Sequence, residues 1–238
     1  MSEARSPVRI ALVGATGLVG RHVIDVASAG DEARIVGIAR REAPLPSGAR
    51  MEMFVAQPAK WGEVLEAVRP RALICALGTT WKKAGRDEAA FRSVDHDLVL
   101  ATAEAAKRAG VPNMVLVSAA GADARGKSVY FRVKGETENA VSRIGFKRLD
   151  ILRPGLLRGE RSNDRRVGER LGILAAPLID PLLSGSWERF RSIDAALVAE
   201  AALGLAMRRA GGRFTHDNDA IRRAAREWRR IGEMESAA

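Results

Sequence analysis

The chain has 238 residues, 47% of them hydrophobic, which suits one domain, or one domain with an appended lobe, and a sizeable core. Its formal charge of +10 suits an anionic ligand, a nucleic acid or an acidic membrane surface without choosing among them. A single cysteine excludes an internal disulfide framework and a cysteine-rich metal site, and no apolar run reaches the length of a membrane span. The first residues, MSEARSPVR, lack a signal-peptide core, so a cytoplasmic placement is expected.

The stretch VRIALVGATGLVG, residues 8–20, organises the rest. Ile10, Ala11, Leu12 and Val13 read as a buried strand that breaks at Gly14 and restarts as a helix near Leu18. Gly14 permits a tight turn, Gly17 lets the backbone approach a pyrophosphate, and Gly20 lets the helix pack against the sheet. The helix N-terminus offers unpaired N–H groups and a partial positive charge to phosphates. A glycine triplet alone is weak evidence; the β-like run before it and the helical run over 22–29 favour a dinucleotide site over a plain strand–helix turn.

Residues 34–38 read as the second strand. An acid at its end would bind the ribose 2′-hydroxyl of NAD. This chain has Ala39, Arg40 and Arg41, and a guanidinium pairs well with a 2′-phosphate, so NADP (NADPH) is favoured; a solvated basic strand end is the alternative. Residues 51–55 are a possible third strand, 60–68 a short helix ended before Pro70, and 72–77 the fourth strand. The fourth strand opens into Gly78, Thr79, Thr80, Trp81, Lys82 and Lys83, a loop where a cofactor would lie. Residues 88–109 are helical in composition, with Leu98, Ala101, Thr102 and Ala105 on one face. Residues 114–117 form the fifth strand, ending on Ser118; a helix follows over 128–143, and residues 149–152 are the sixth strand.

This alternation predicts an α/β, Rossmann-like doubly wound parallel sheet covered on both faces. The expected division is a dinucleotide-binding domain over 1–155 and a small α-rich C-terminal lobe over 156–238 that completes the same fold unit. Within the lobe, 193–207 is helical and alanine-rich, and 213–215 is a possible short strand. Residues 220–231 form an amphipathic helix with Ile221, Ala224, Ala225, Trp228 and Ile231 on one face. Arg222, Arg223, Arg226, Arg229 and Arg230 lie on the other, read as a solvated face rather than a nucleic-acid or lipid surface.

Three residues carry candidate chemistry. Tyr130 is the only tyrosine. Lys134 lies one helical turn later on the same face, and Ser118 stands at the end of the fifth strand. A neighbouring ammonium favours a phenolate, which suits Tyr130 to proton exchange with a substrate oxygen; the Ser118 hydroxyl is placed to hold that oxygen, and Lys134 to reach the cofactor ribose. An ordinary packed tyrosine is the bland alternative. His22, His96 and His216 lack metal-ligand spacing. Arg158, Arg161, Arg165 and Arg166 form a cluster suited to an anionic substrate, a cofactor phosphate or plain solvation. Asp194 is read as a helix cap, Cys75 as a buried inert thiol, and Trp187 and Phe190 as lobe core.

Together GATGLVG (14–20), LGTTWKKAG (77–85), VSAAGAD (117–123), YFRVKGETE (130–138) and LRPG (152–155) resemble the short-chain dehydrogenase/reductase superfamily. Within its atypical branch, the chain is similar to the Tat-interactive-protein-like oxidoreductases. The resemblance implies NADPH binding and a Ser118, Tyr130, Lys134 site. It also implies Gly14, Thr16, Gly17, Leu18 and Val19 around the pyrophosphate, Arg40 and Arg41 at the 2′-phosphate, and Leu77, Gly78 and Thr79 on the nicotinamide side. Two departures stand out. Where many members carry a helix asparagine, this chain has Ser93, Val94, Asp95 and His96; where many place an adenine-binding acid, it has Ala56, Gln57 and Pro58. The expected activity is NADPH-dependent reduction of a small carbonyl compound, with no specific nucleic acid, no membrane span and a possible homodimer. The alternatives are a non-catalytic NADP(H)-sensing regulatory protein and a sugar-nucleotide epimerase or dehydratase.

Overall fold

The computed structural model describes residues 7–42, 45–46, 49, 51–159 and 185–236. Seven parallel strands form one sheet in the order β3-β2-β1-β4-β5-β6-β9: β1 (Val8–Val13), β2 (Ala33–Ala39), β3 (Glu52–Val55), β4 (Ala72–Cys75), β5 (Asn113–Val117), β6 (Arg148–Leu152) and β9 (Gly212–His216). The strand order reverses between β1 and β4, which pair from Ile10↔Ala72 to Val13↔Cys75. Strands β4, β5 and β6 are buried throughout, and β1 from Ile10 onward, because both sheet faces are covered. A second, two-stranded sheet joins β7 (Leu157–Arg158) to β8 (Ile193–Asp194).

Helices α1 (Leu18–Ser28), α6 (Ala195–Ala206) and α7 (Asn218–Ser236) cover one face of the main sheet. Helices α2 (Trp61–Val68), α4 (Val99–Arg108) and α5 (Val129–Arg143) cover the other. The alanine content of α6 has a packing reason. Val198, Ala199, Ala201, Ala202, Leu203, Leu205 and Ala206 are almost fully buried, so this helix is enclosed on most sides and small side chains let its neighbours approach. Asp194 caps it, its carboxylate accepting from the Ala196 N–H at 2.8 Å.

Two expectations about helix faces change. The helical run after β4 is not uniform: α3 (Glu88–Arg92) leads through a π-helical turn at Ser93–Leu98 into α4. Thr102, Ala105 and the partly buried Leu98 face inward as expected, joined by Asp95, Val99, Ala103 and Ala106, while Ala101 is exposed. In α7, Ile221, Ala224, Ala225 and Trp228 are buried, but Ile231 is 46% exposed. Part of the basic face of α7 is paired rather than merely solvated: Arg229 forks onto Glu200, and Arg222 donates to the Ser192 carbonyl.

The edge strand β9 is held by a buried polar cluster. Arg148 makes a two-pronged bond to Asp150 at 2.6 and 2.9 Å, and the His216 ring lies 2.8 Å from the same carboxylate. The Arg148 guanidinium also covers the Phe214 ring. Among the described residues no helix is long and apolar enough to cross a membrane, and no histidine, cysteine, aspartate and glutamate group could hold a metal ion. Cys75 is fully buried, and burial pushes its thiol up to about 11.

Candidate active site

A cavity of about 280 Å³ opens where the carboxyl ends of β1, β4 and β5 meet, at the reversal of strand order. One wall is the glycine loop and the start of α1: Thr16, Gly17, Leu18, Val19 and Arg21. The floor is the segment after β4, Ala76 to Thr80. The opposite wall carries Asp95, Ser118, Tyr130 and Lys134. The sequence-predicted residues Thr16, Gly17, Leu18, Val19, Leu77, Gly78, Thr79, Ser118, Tyr130 and Lys134 therefore share one space. Gly14 lies behind the wall. Arg40 and Arg41 are exposed at the end of β2 and do not line the cavity.

The glycines fit a close-packed nucleotide loop. Gly14 has φ +86°, and a Cβ there would meet the Ala76 carbonyl oxygen at 2.4 Å. A Cβ on Gly20 would sit 2.2 Å from the Gly14 carbonyl oxygen. The third glycine thus lets α1 pack against its own loop, where the sequence pointed to the sheet. Gly17 is the N-cap of α1, with no side chain capping the helix and no acid in its first turn. The N-terminal amides and dipole of an eleven-residue helix are thereby left facing the cavity for an anion.

Tyr130 and Lys134 come from the first turns of α5. The half-buried Tyr130 ring is wedged between Phe91 and Phe131, with centroids 5.4 and 5.3 Å away. Lys134 is buried, and its ammonium lies 2.8 Å from the Oδ1 of Asp95, which is wholly inaccessible to solvent. The other Asp95 oxygen accepts from the Thr79 N–H at 2.7 Å, and the Asp95 carbonyl accepts from the Thr137 hydroxyl at 2.9 Å. Burial pushes the lysine toward its neutral form, but the Asp95 carboxylate and Tyr130 outweigh it and hold the ammonium above its ordinary 10.5. A Cβ on Gly78 would come within 3.2 Å of Asp95 Oδ1 and 3.6 Å of Lys134 Nζ, so the floor passes directly over this ion pair.

Ser118 is buried at the end of β5. Its hydroxyl donates to Glu138 Oε1 at 2.5 Å, and Glu138 is in turn gripped by the Arg153 guanidinium. Sequence reasoning passed over Glu138, although it continues the Tyr130, Lys134 spacing by one more helical turn. It met Asp95 only as a departure from a family asparagine. Among the arginines after β6, Arg158 lies in β7 beside Leu157, which touches the cavity; Arg161, Arg165 and Arg166 lie outside the described residues, as does the side chain of Trp187. Phe190 stacks at 6.2 Å on Phe131, beside the tyrosine.

Residues 14–175 match the sequence model of a family described as NAD(P)H-binding. The chain is 40% identical over 163 residues to the protein fmp52, mitochondrial, of Emericella nidulans, a span covering 66% of this chain and 70% of that one. It is 32% identical over 208 residues to the protein FMP52, mitochondrial, of Candida albicans, covering 84% and 89%. Among solved structures, the UDP-glucose 4-epimerase of Thermus thermophilus in complex with NAD superposes with a TM-score of 0.66 at 18% identity, covering 95% of this chain and 84% of that one. That likeness shows a Rossmann-like α/β fold shared with this neighbour. The names of the fungal relatives overturn the cytoplasmic expectation. A mitochondrial address is amphipathic and has no signal-peptide core, so the lack of one in the first residues does not bear on it.

Proposed function

The chain belongs to the NAD(P)H-binding family, and from that premise we propose that it is an NADPH-dependent oxidoreductase acting on a small carbonyl compound. One observation carries the reading: a single cavity is walled on one side by the glycine loop and on the other by Ser118, Tyr130 and Lys134. Thr16 to Val19 and the N-terminus of α1 would hold the pyrophosphate, and Leu77, Gly78 and Thr79 would line the nicotinamide side. Arg40 and Arg41 would meet the 2′-phosphate; their position at the end of β2, where an acid would select NAD, supports NADPH.

Bound nicotinamide supplies the hydride. Tyr130 gives its phenolic proton to the substrate oxygen, and the buried Lys134 ammonium stabilises the resulting phenolate. Asp95 keeps that ammonium charged and tied to the floor. Ser118 borders the same oxygen. The motif-level similarity to Tat-interactive-protein-like oxidoreductases supports the same chemistry. The test is Tyr130→Phe. Turnover of NADPH with a panel of aldehydes, ketones and quinones should fall by about 10²–10⁴-fold, the usual contribution of a positioned general acid. Binding of NADPH should stay unchanged by fluorescence titration. Equal turnover in the variant rejects the assignment.

A further inference from the structure

We propose that Glu138 is a positioning residue that sets the polarity of the Ser118 hydroxyl, so that the resting site receives a hydroxyl-bearing ligand more readily than a carbonyl. The inference rests on the oxidoreductase reading and concerns the resting polarity that the carbonyl substrate meets and the alcohol product leaves. A serine hydroxyl has one hydrogen to give and two lone pairs to offer. Here the hydrogen goes to Glu138 Oε1 at 2.5 Å. The acceptor is 4% exposed, and both its oxygens are engaged by Arg153 Nε, at 3.0 and 3.1 Å. Arg153 therefore holds the carboxylate in place whether or not Ser118 bonds to it. With its hydrogen spent, Ser118 turns lone pairs toward the cavity it borders.

A carbonyl oxygen also presents only lone pairs. It gains a bond from Ser118 only after the hydroxyl rotates off Glu138, giving up a charge-assisted bond. An alcohol meets an acceptor at once. Glu138→Gln inverts this. Arg153 donates only, so the amide oxygen of the glutamine turns to Arg153 and its NH2 turns to Ser118. Ser118 must then accept, and its hydrogen is freed for the cavity.

The experiment has two arms. Low-temperature proton spectra of the full chain should show a hydroxyl resonance downfield of the amides, absent in Ser118→Ala and in Glu138→Gln. A wild-type spectrum without it, or its persistence in Ser118→Ala, overturns the proposal. In the second arm, NADPH-dependent reduction of 9,10-phenanthrenequinone is followed. Glu138→Gln should lower KM about tenfold, roughly the worth of one hydrogen bond to a charged group, with a smaller change in kcat. The same substitution in a Ser118→Ala background should change neither. An equal change in both backgrounds means that Glu138 acts on the fold at large and sinks the idea. If Glu138→Gln fails to fold, Glu138→Asp, which withdraws the carboxylate by one methylene, should move KM in the same direction; an unchanged or raised KM counts against the proposal. A wild-type chain inert toward the quinone argues against the oxidoreductase reading, and the spectra then decide the role of Glu138 independently.

Discussion

Replacing Asp95 with asparagine removes the counter-ion of Lys134 at almost constant volume. At 2.8 Å and an effective dielectric constant of about 20, the attraction is about 6 kcal/mol, part of which is offset by the desolvation of both ions. Breaking one partner of a buried pair typically costs about 3–5 kcal/mol, because the remaining charge is left without compensation. The asparagine makes matters worse. It has one acceptor oxygen for two donors, the Thr79 N–H and the Lys134 ammonium, and its NH2 must face one of them. Urea unfolding at pH 7, followed by the fluorescence of the four tryptophans, should show that loss, with Tm lowered by about 10 °C. The pH dependence follows from the raised lysine. Its stabilising contribution is complete below 10.5, the ordinary lysine value, and is lost as pH climbs through the higher folded-state value. The wild-type chain should therefore hold its stability to more alkaline pH than Asp95→Asn. An unfolding free energy for the variant within about 1 kcal/mol of the parent, the range of an exposed pair, would refute the argument that this ion pair is buried and structural.

Other expectations follow from single contacts. Gly20→Ala places a methyl 2.2 Å from the Gly14 carbonyl oxygen, so the loop must shift, and NADPH affinity should drop by at least tenfold in a titration while the circular dichroism of the fold persists. Changing Arg40 and Arg41 together to alanine should weaken NADPH about 10- to 100-fold and leave NADH untouched, the signature of lost charge-assisted bonds to a phosphate; equal effects on both cofactors would place the arginines elsewhere. Cys75, buried and with its thiol held near 11, should resist iodoacetamide at pH 8 until the chain is unfolded in urea. Asp194→Ala should cost about 1 kcal/mol in unfolding experiments through loss of the α6 cap.

The amino-acid order by itself determined a good deal. The apolar run over Ile10 to Val13 followed by Gly14, Gly17 and Gly20 specifies a strand, a tight turn and a helix start, because each depends on local backbone freedom and periodicity. The alternation of strands and helices likewise fixes a covered parallel sheet, and the four-residue spacing of Tyr130 and Lys134 puts them on one helical face. What the tertiary structure alone decided are the polar partnerships between elements remote in the chain. Ser118 and Glu138, twenty residues apart, meet because β5 and α5 pack at one end of the sheet. Asp95, in the π-helical turn, meets Lys134 of α5 across the gap between two elements, a pairing that hydrophobic spacing does not reveal. Periodicity is written residue by residue, whereas the identity of a buried charge's partner depends on sheet order and helix phase, which exist only once the chain has closed on itself.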